Sequence, residues 1–189
     1  METIDKNPVL KEENIKHVGF WDRFMAVVID IFVLLPPIIG SILNILYLKN
    51  MLLFVLLNIL MILYKPLMEY KYGATVGKMV LKLKVVDYNY QPITLVAAFL
   101  RSILSIATSA FNTTIIAGMF LIPEFENIST YGAWNAFLMA NPIMNLYTKL
   151  SWLLLVIDIL PMKSDPNKRT LHDRIAKTYV IIKKIDTLR

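Results

Sequence analysis

An arginine followed seven residues later by an aspartate heads a long apolar run. The stretch reads Gly19-Phe20-Trp21-Asp22-Arg23-Phe24-Met25-Ala26-Val27-Val28-Ile29-Asp30, then Ile31-Phe32-Val33-Leu34-Leu35. Residues seven apart lie nearly one above the other on a helix, so Arg23 and Asp30 share a face, with Asp30 roughly 10 Å further along. A carboxylate in hydrocarbon is costly unless paired, hydrated or protonated, which makes Asp30 a candidate ion- or proton-binding group. Two more charges, Arg101 and Asp158, interrupt later apolar runs. Arg101 could bridge Asp30 and Asp158. The result would be a structural ion cluster that holds helices together, or a polar pocket for a cation, proton or small solute. Pro36-Pro37 deprives the carbonyls of Phe32 and Val33 of their helical partners within one turn of Asp30. Broken helices that present a carboxylate and free carbonyls form cation sites in transporters, while a plain kink repaired by water or a neighbour is the bland alternative.

A second dense stretch is Thr170-Leu171-His172-Asp173-Arg174-Ile175-Ala176-Lys177-Thr178. A His-Asp pair invites a catalytic reading, but adjacent side chains point apart and no Ser or Cys nucleophile motif accompanies it. The expected role is structural: Asp173 caps or salt-bridges a turn that locks the tail to the loops, with His172 and Arg174 beside it. No enzyme activity, metal or cofactor is expected. The two histidines, His17 and His172, are too few for a histidine metal site, and cysteine is absent.

Membrane helices must position these groups. The chain has 189 residues, 57% hydrophobic, and a mean hydropathy of +0.56, against about 45–50% apolar residues in a soluble domain. Four spans are expected, at about 24–48, 51–67, 93–122 and 146–162. The second closes near Lys65-Pro66, and the third is long enough to be tilted or partly interfacial. Residues 123–145 read as an interfacial or a re-entrant helix. The N-terminus lacks a basic signal-peptide region, so the first run is expected to stay as a span.

Basic residues cluster before span one, between spans two and three, and after span four, whereas the other connections hold little beyond Lys49 and Lys149. The positive-inside rule then puts both termini in the cytoplasm of a multi-pass cell-membrane protein. The expected organisation is a tail (1–18), a transmembrane domain (19–185) and a basic cytoplasmic tail (163–189). The net charge of +6 belongs to those loops, not to a nucleic-acid surface, since no aromatic-basic module accompanies it. The bilayer itself is the expected partner.

Lys71-Tyr72-Gly73-Ala74-Thr75-Val76-Gly77-Lys78 looks like a phosphate loop but fails as one: its glycines are too close, and Met79 stands where a Ser or Thr would bind magnesium. Alternating apolar positions after it predict a strand over 80–87 that pairs with 178–185 in a small cytoplasmic sheet. A basic segment lying on anionic headgroups is the competing reading.

Three ordered motifs resemble the RDD family of small membrane proteins, named for one arginine and two aspartates. They are Gly19-Phe20-Trp21-x-Arg23-x-x-Ala26-x-x-x-Asp30; Gly73-Ala74-Thr75-x-Gly77-Lys78 with Leu83-x-Val85-Val86-Asp87; and Lys168-Arg169-x-Leu171-His172-Asp173-Arg174-x-Ala176-x-Thr178. Arg23, Asp30 and Asp173 look like the family trio, and Arg101 matches a common third-span arginine. Lys177 departs from a frequent glycine. The resemblance implies a multi-span helical fold. In that family transport of ions or small solutes has been proposed broadly, with cation/proton antiport for some members, while other relatives act as scaffold or assembly components. On a transport reading of this chain, as a cation (sodium)/proton antiporter, monovalent cations or protons would be bound, and four spans give few walls for a pathway, so a homo-oligomer is expected.

Overall fold

Backbone polar groups inside hydrocarbon must bond to one another, so apolar runs of this length are stable there as helices. The computed structural model describes residues 16–182. In chain order its elements are α1 (Phe20–Leu43), which passes into a π-helical turn (Asn44–Leu48), α2 (Met51–Tyr72), α3 (Val76–Val80) and β1 (Leu83–Asp87). Then come α4 (Leu95–Met119), a 3-10 turn (Pro123–Asn127), α5 (Tyr131–Ala140), α6 (Pro142–Ile159), α7 (Pro161–Ser164), α8 (Leu171–Ile175) and β2 (Thr178–Ile182). Four stretches are long and apolar enough to cross a membrane: Phe20–Leu48, Met51–Tyr72, Leu95–Met119 and Pro142–Ser164. At 1.5 Å per residue the shortest reaches about 33 Å, enough for a hydrocarbon core of about 30 Å. Leu52, Leu60, Val96, Trp152 and Leu153 point outward, as lipid-facing side chains do.

The expected class, a helical membrane protein with about four spans and a small sheet, is what the chain forms. Several boundaries differ. α1 runs unbroken through Pro36 and Pro37. α2 does not close at Pro66 but continues to Tyr72, where Gly73 ends it at φ +72. The extra turns are held from outside the helix, because buried Glu69, one turn past the proline, is bound by Arg101 and Lys78. The third span is a single 25-residue helix, capped by Thr94 through its hydroxyl. Residues 123–145, expected as one interfacial or re-entrant helix, are divided among several elements. They make the 3-10 turn, then α5, then the start of α6. Phe125 and Trp134 in this region pack with Phe54, Met119 and Met144. Lys49, expected only as a loop charge, donates to the carbonyls of Phe125 and Ile128 and lies 4.3 Å from the Phe125 ring centre.

The strands pair antiparallel, with Val85 opposite Val180. Residues 80–82 are not strand. Val80 ends α3 and Lys82 turns the chain at φ +57, so pairing begins at Leu83. Residues 183–185 lie outside the described residues, as do the basic residues of 1–15 and 183–189. Val18 donates to the Val180 carbonyl, and Ile182 donates to that of Lys16. The first and last described residues therefore meet at one sheet, at one end of the bundle, as an even number of spans requires. A second apolar cluster, Val18, Ala26, Leu83, Val85, Ile93, Ala98 and Val180, packs around that sheet.

α3 lies hard against α1. A Cβ added to Gly77 would stand 2.0 Å from the Ala26 carbonyl oxygen, a contact no side chain tolerates. Gly77→Ala should push α3 off α1 and cost at least about 1–3 kcal/mol. The check is the thermal midpoint of detergent-purified protein, with Gly132→Ala, where nothing crowds the added carbon, as the unaffected control.

Candidate functional site

Arg101 sits on the second turn of α4 and is 1% exposed. Its Nε donates to Glu69 Oε2 at 2.8 Å, and its Nη1 donates to Asp173 Oδ1 and to the Thr178 hydroxyl. The second Asp173 oxygen accepts from Arg23 Nη1 at 2.5 Å and from the Thr170 amide at 3.1 Å. The second Glu69 oxygen accepts from the Lys78 ammonium. The result is an alternating chain, Arg23–Asp173–Arg101–Glu69–Lys78, drawn from α1, α8, α4, α2 and α3. Arg23 extends it by donating to the carbonyls of Lys168 at 3.0 Å and Val18 at 3.4 Å.

Local sequence sets the geometry. Thr170 and Asp173 form a capping box at the start of α8, which aims the carboxylate at both arginines. Burial alone would raise the Asp173 carboxyl, but the Arg101 and Arg23 guanidiniums overcome it and hold the group well below the usual carboxylate range. Burial pulls the Lys78 ammonium down to about 8 against the opposing attraction of Glu69. Arg101 Nη2 is buried with no hydrogen-bond partner among the described residues.

Asp30 lies apart from this chain. Its Oδ1 accepts from the Tyr64 hydroxyl and the Gly77 amide, both at 2.7 Å, and its Oδ2 accepts from the Thr75 hydroxyl at 2.6 Å. The Tyr64 hydroxyl also accepts from the Val76 amide at 3.1 Å. Thr75 is the N-cap residue of α3, yet its side chain does not cap its own helix. Asp30 and Tyr64 take the free amides of that helix instead. The glycine-rich loop that failed as a phosphate cradle thus cradles an anion supplied by α1. No ion pair reaches Asp30 among the described residues.

Asp158 makes a third arrangement. It accepts from the His172 amide at 2.9 Å and contacts His172 Nδ1 at 2.7 Å. Burial first, and then the Lys65 charge, push His172 down to about 4, so the imidazole is neutral at pH 7.

The expected bridge from Arg101 to Asp30 and Asp158 does not form. Helix α8 brings Asp173 to Arg101 instead, and α2 brings Glu69. Arg23 and Asp30 share a helix but part company, Arg23 to Asp173 and Asp30 to α3. The side chains of Phe32 and Val33 are exposed, and their carbonyls are not among the groups that hold Asp30. Arg174 pairs with Asp165 at 2.9 Å. Sequence reasoning singled out neither Glu69 nor Tyr64, and it named Thr75 and Lys78 only within the glycine-rich motif, without their roles. The signal for Glu69 was a lone acid close behind an apolar run, with no acid–base spacing to mark it. Lys177 stands at φ +53, the left-handed conformation in which glycine costs least. Among the described residues no three His, Cys, Asp or Glu side chains gather as a metal site.

The model of the RDD family matches residues 17–177, a segment that holds Arg23, Asp30, Glu69, Arg101 and Asp173. No curated protein and no solved structure matches the chain.

Removing one partner of a buried ion pair strands the other. Arg101→Met should therefore destabilise the fold by about 3–5 kcal/mol, and Arg101→Lys should recover little of this, because one ammonium cannot reach both carboxylates from the guanidinium's position. Denaturation in mixed micelles measures both variants.

His172 gives a pH signature. Its folded-state value lies below the ordinary 6.5, so between these two values the unfolded chain binds a proton that the folded one refuses. Stability should fall as pH drops from about 6.5 towards 4. Asp173 acts in a lower window: its depressed value adds stability above the ordinary carboxylate range, and that is lost on stronger acidification. His172→Gln should shrink the first window and leave the second. The remainder of the first is due to His17, which burial also lowers. The thermal midpoint at pH 7 against pH 5 reads it.

Proposed function

This chain belongs to the RDD family, and we propose that it is a small transporter that exchanges a monovalent cation, sodium foremost, for a proton at Asp30. The observation that supports this reading is the contrast between the carboxylates. Asp173 and Glu69 are locked by guanidinium groups. Asp30 is held by two hydroxyls and an amide, all neutral. A hydroxyl carries a proton and two lone pairs. Tyr64 and Thr75 can therefore donate to the bare carboxylate or turn their oxygens towards a small cation beside it. Protonation of Asp30 removes the charge that holds the cation, which couples the two. Four spans provide few walls for a pathway, so the working unit in this reading is a homo-oligomer in the cell membrane with both termini cytoplasmic.

The same hydrogen bonds make Asp30→Asn a mild change for the fold. The amide oxygen still accepts from Tyr64 and Gly77, and its NH2 can donate to Thr75. Wild-type protein in liposomes with an internal pH dye should move protons on sodium, lithium or potassium pulses. Asp30→Asn, at equal incorporation and an unchanged melting midpoint, should not. Equal flux in the variant would overturn the reading.

A second reading is favoured by the buried charge chain, which ties five elements into one body and suits a non-catalytic scaffold or assembly protein. On that reading wild-type liposomes show no flux for any cation, and partner recovery depends on the intact chain.

A further inference from the structure

A groove of about 700 Å³ opens between the first turn of α1 and the last turns of α6 and α7. This volume lies within the range of pockets that hold a small molecule. Phe20, Leu155, Val156 and Ile159 form its apolar part, and Lys163 and Lys168 stand at its edge. The third charge on it, Asp165, is already taken by Arg169 and Arg174, both at 2.9 Å. Neither lysine is in an ion pair among the described residues. The uncompensated charge of the groove is therefore positive.

Two features fix its place. Lys168 is held in a left-handed turn at φ +52, with its carbonyl bound by Arg23 at 3.0 Å. A Cβ on Gly19 would lie 3.9 Å from its ammonium nitrogen, so that charge stands over the start of α1. There the exposed rings of Phe20, Trp21 and Phe24 cluster, with Trp21 70% exposed. Exposed aromatic rings at the end of a span mark the headgroup level of a bilayer. An apolar cleft with exposed Leu155, Val156 and Leu160 along it, lined also by two lysines outside any ion pair among the described residues, matches one ligand in both halves.

We infer that this groove is a specific site for one anionic phospholipid, with the phosphate between Lys163 and Lys168 and an acyl chain along Phe20, Val156 and Ile159. Juxtamembrane lysines attract any anionic surface. The groove adds a fixed place for the chain, which a diffuse basic surface lacks. The inference is independent of ion movement.

Native mass spectrometry after titration with palmitoyl-oleoyl phosphatidylglycerol tests it. Wild type should hold one phosphatidylglycerol at least about tenfold more tightly than phosphatidylcholine. Lys163→Gln with Lys168→Gln should remove that preference, and Lys163→Arg with Lys168→Arg should keep it. Val156→Trp, which fills the cleft and leaves the lysines intact, should also lose the tight lipid. Lys71→Gln with Lys82→Gln removes two exposed charges elsewhere and should change nothing. Phosphatidylglycerol should raise the melting midpoint of wild type but not of the Gln pair at the groove. Equal binding of the two lipids, an undiminished Val156→Trp, or a control pair as weak as the groove pair would each overturn the site.

Discussion

A guanidinium withdrawn from water must meet anions in the right geometry, because several kcal/mol of lost hydration otherwise stands uncompensated. Arg101 meets two, one from each side of it along the chain: Glu69 from α2 and Asp173 from α8. That requirement fixes much else. Asp173 can reach α4 only if α8 starts where Thr170 caps it, which in turn sets β2 beside β1. Glu69 can reach it only if α2 continues past Pro66. Arg23 and Lys78 then supply the outer positive charges and draw α1 and α3 to the same centre. Such a centre adds little net stability over an apolar one of equal volume. It specifies which helices meet, and at which turn.

The elements differ in how plainly the sequence announces them. Apolar runs of about a bilayer's thickness or more made the four spans visible, and alternation made β1 and β2 visible. The pairing of charges was not legible in the same way. Depth along a helix can be counted from sequence, but rotation about the helix axis and the neighbour at that depth are set by tertiary packing. Arg101, Asp30 and Asp158 lie in apolar runs as read, yet the partners of Arg101 and Asp158 include Asp173 and His172 from a stretch read as a tail-locking turn, and Asp30 is held by ordinary hydroxyls and an amide. Pro66 misled for a related reason. A proline predicts a broken helix when local bonding decides, whereas here an ion pair one turn further on decides. The capping box of Thr170 and Asp173, written entirely in neighbouring residues, was legible in advance as a turn.

Two kinds of carboxylate coexist within a few turns. One kind is held by full positive charges and serves as a fixed strut. The other, Asp30, is held by dipoles: two hydroxyls and the amide of a short helix. The difference arises from what faces each group. α3 can approach Asp30 closely because Gly77 carries no side chain. The same close approach sets the spacing of α1 and α3.

The separation of Arg101 from Asp173 along the chain has a consequence for how the protein is made. A ribosome delivers α4 to the membrane about seventy residues before α8 emerges, at roughly 5–20 residues per second. For several seconds Arg101 has Glu69 as its counter-charge but not Asp173, and β1 lacks its partner strand. A nascent chain that stops in this interval keeps an unbalanced guanidinium and an open strand edge. Both are resolved together when α8 and β2 arrive, so one late turn closes the charge balance and the sheet at the same time.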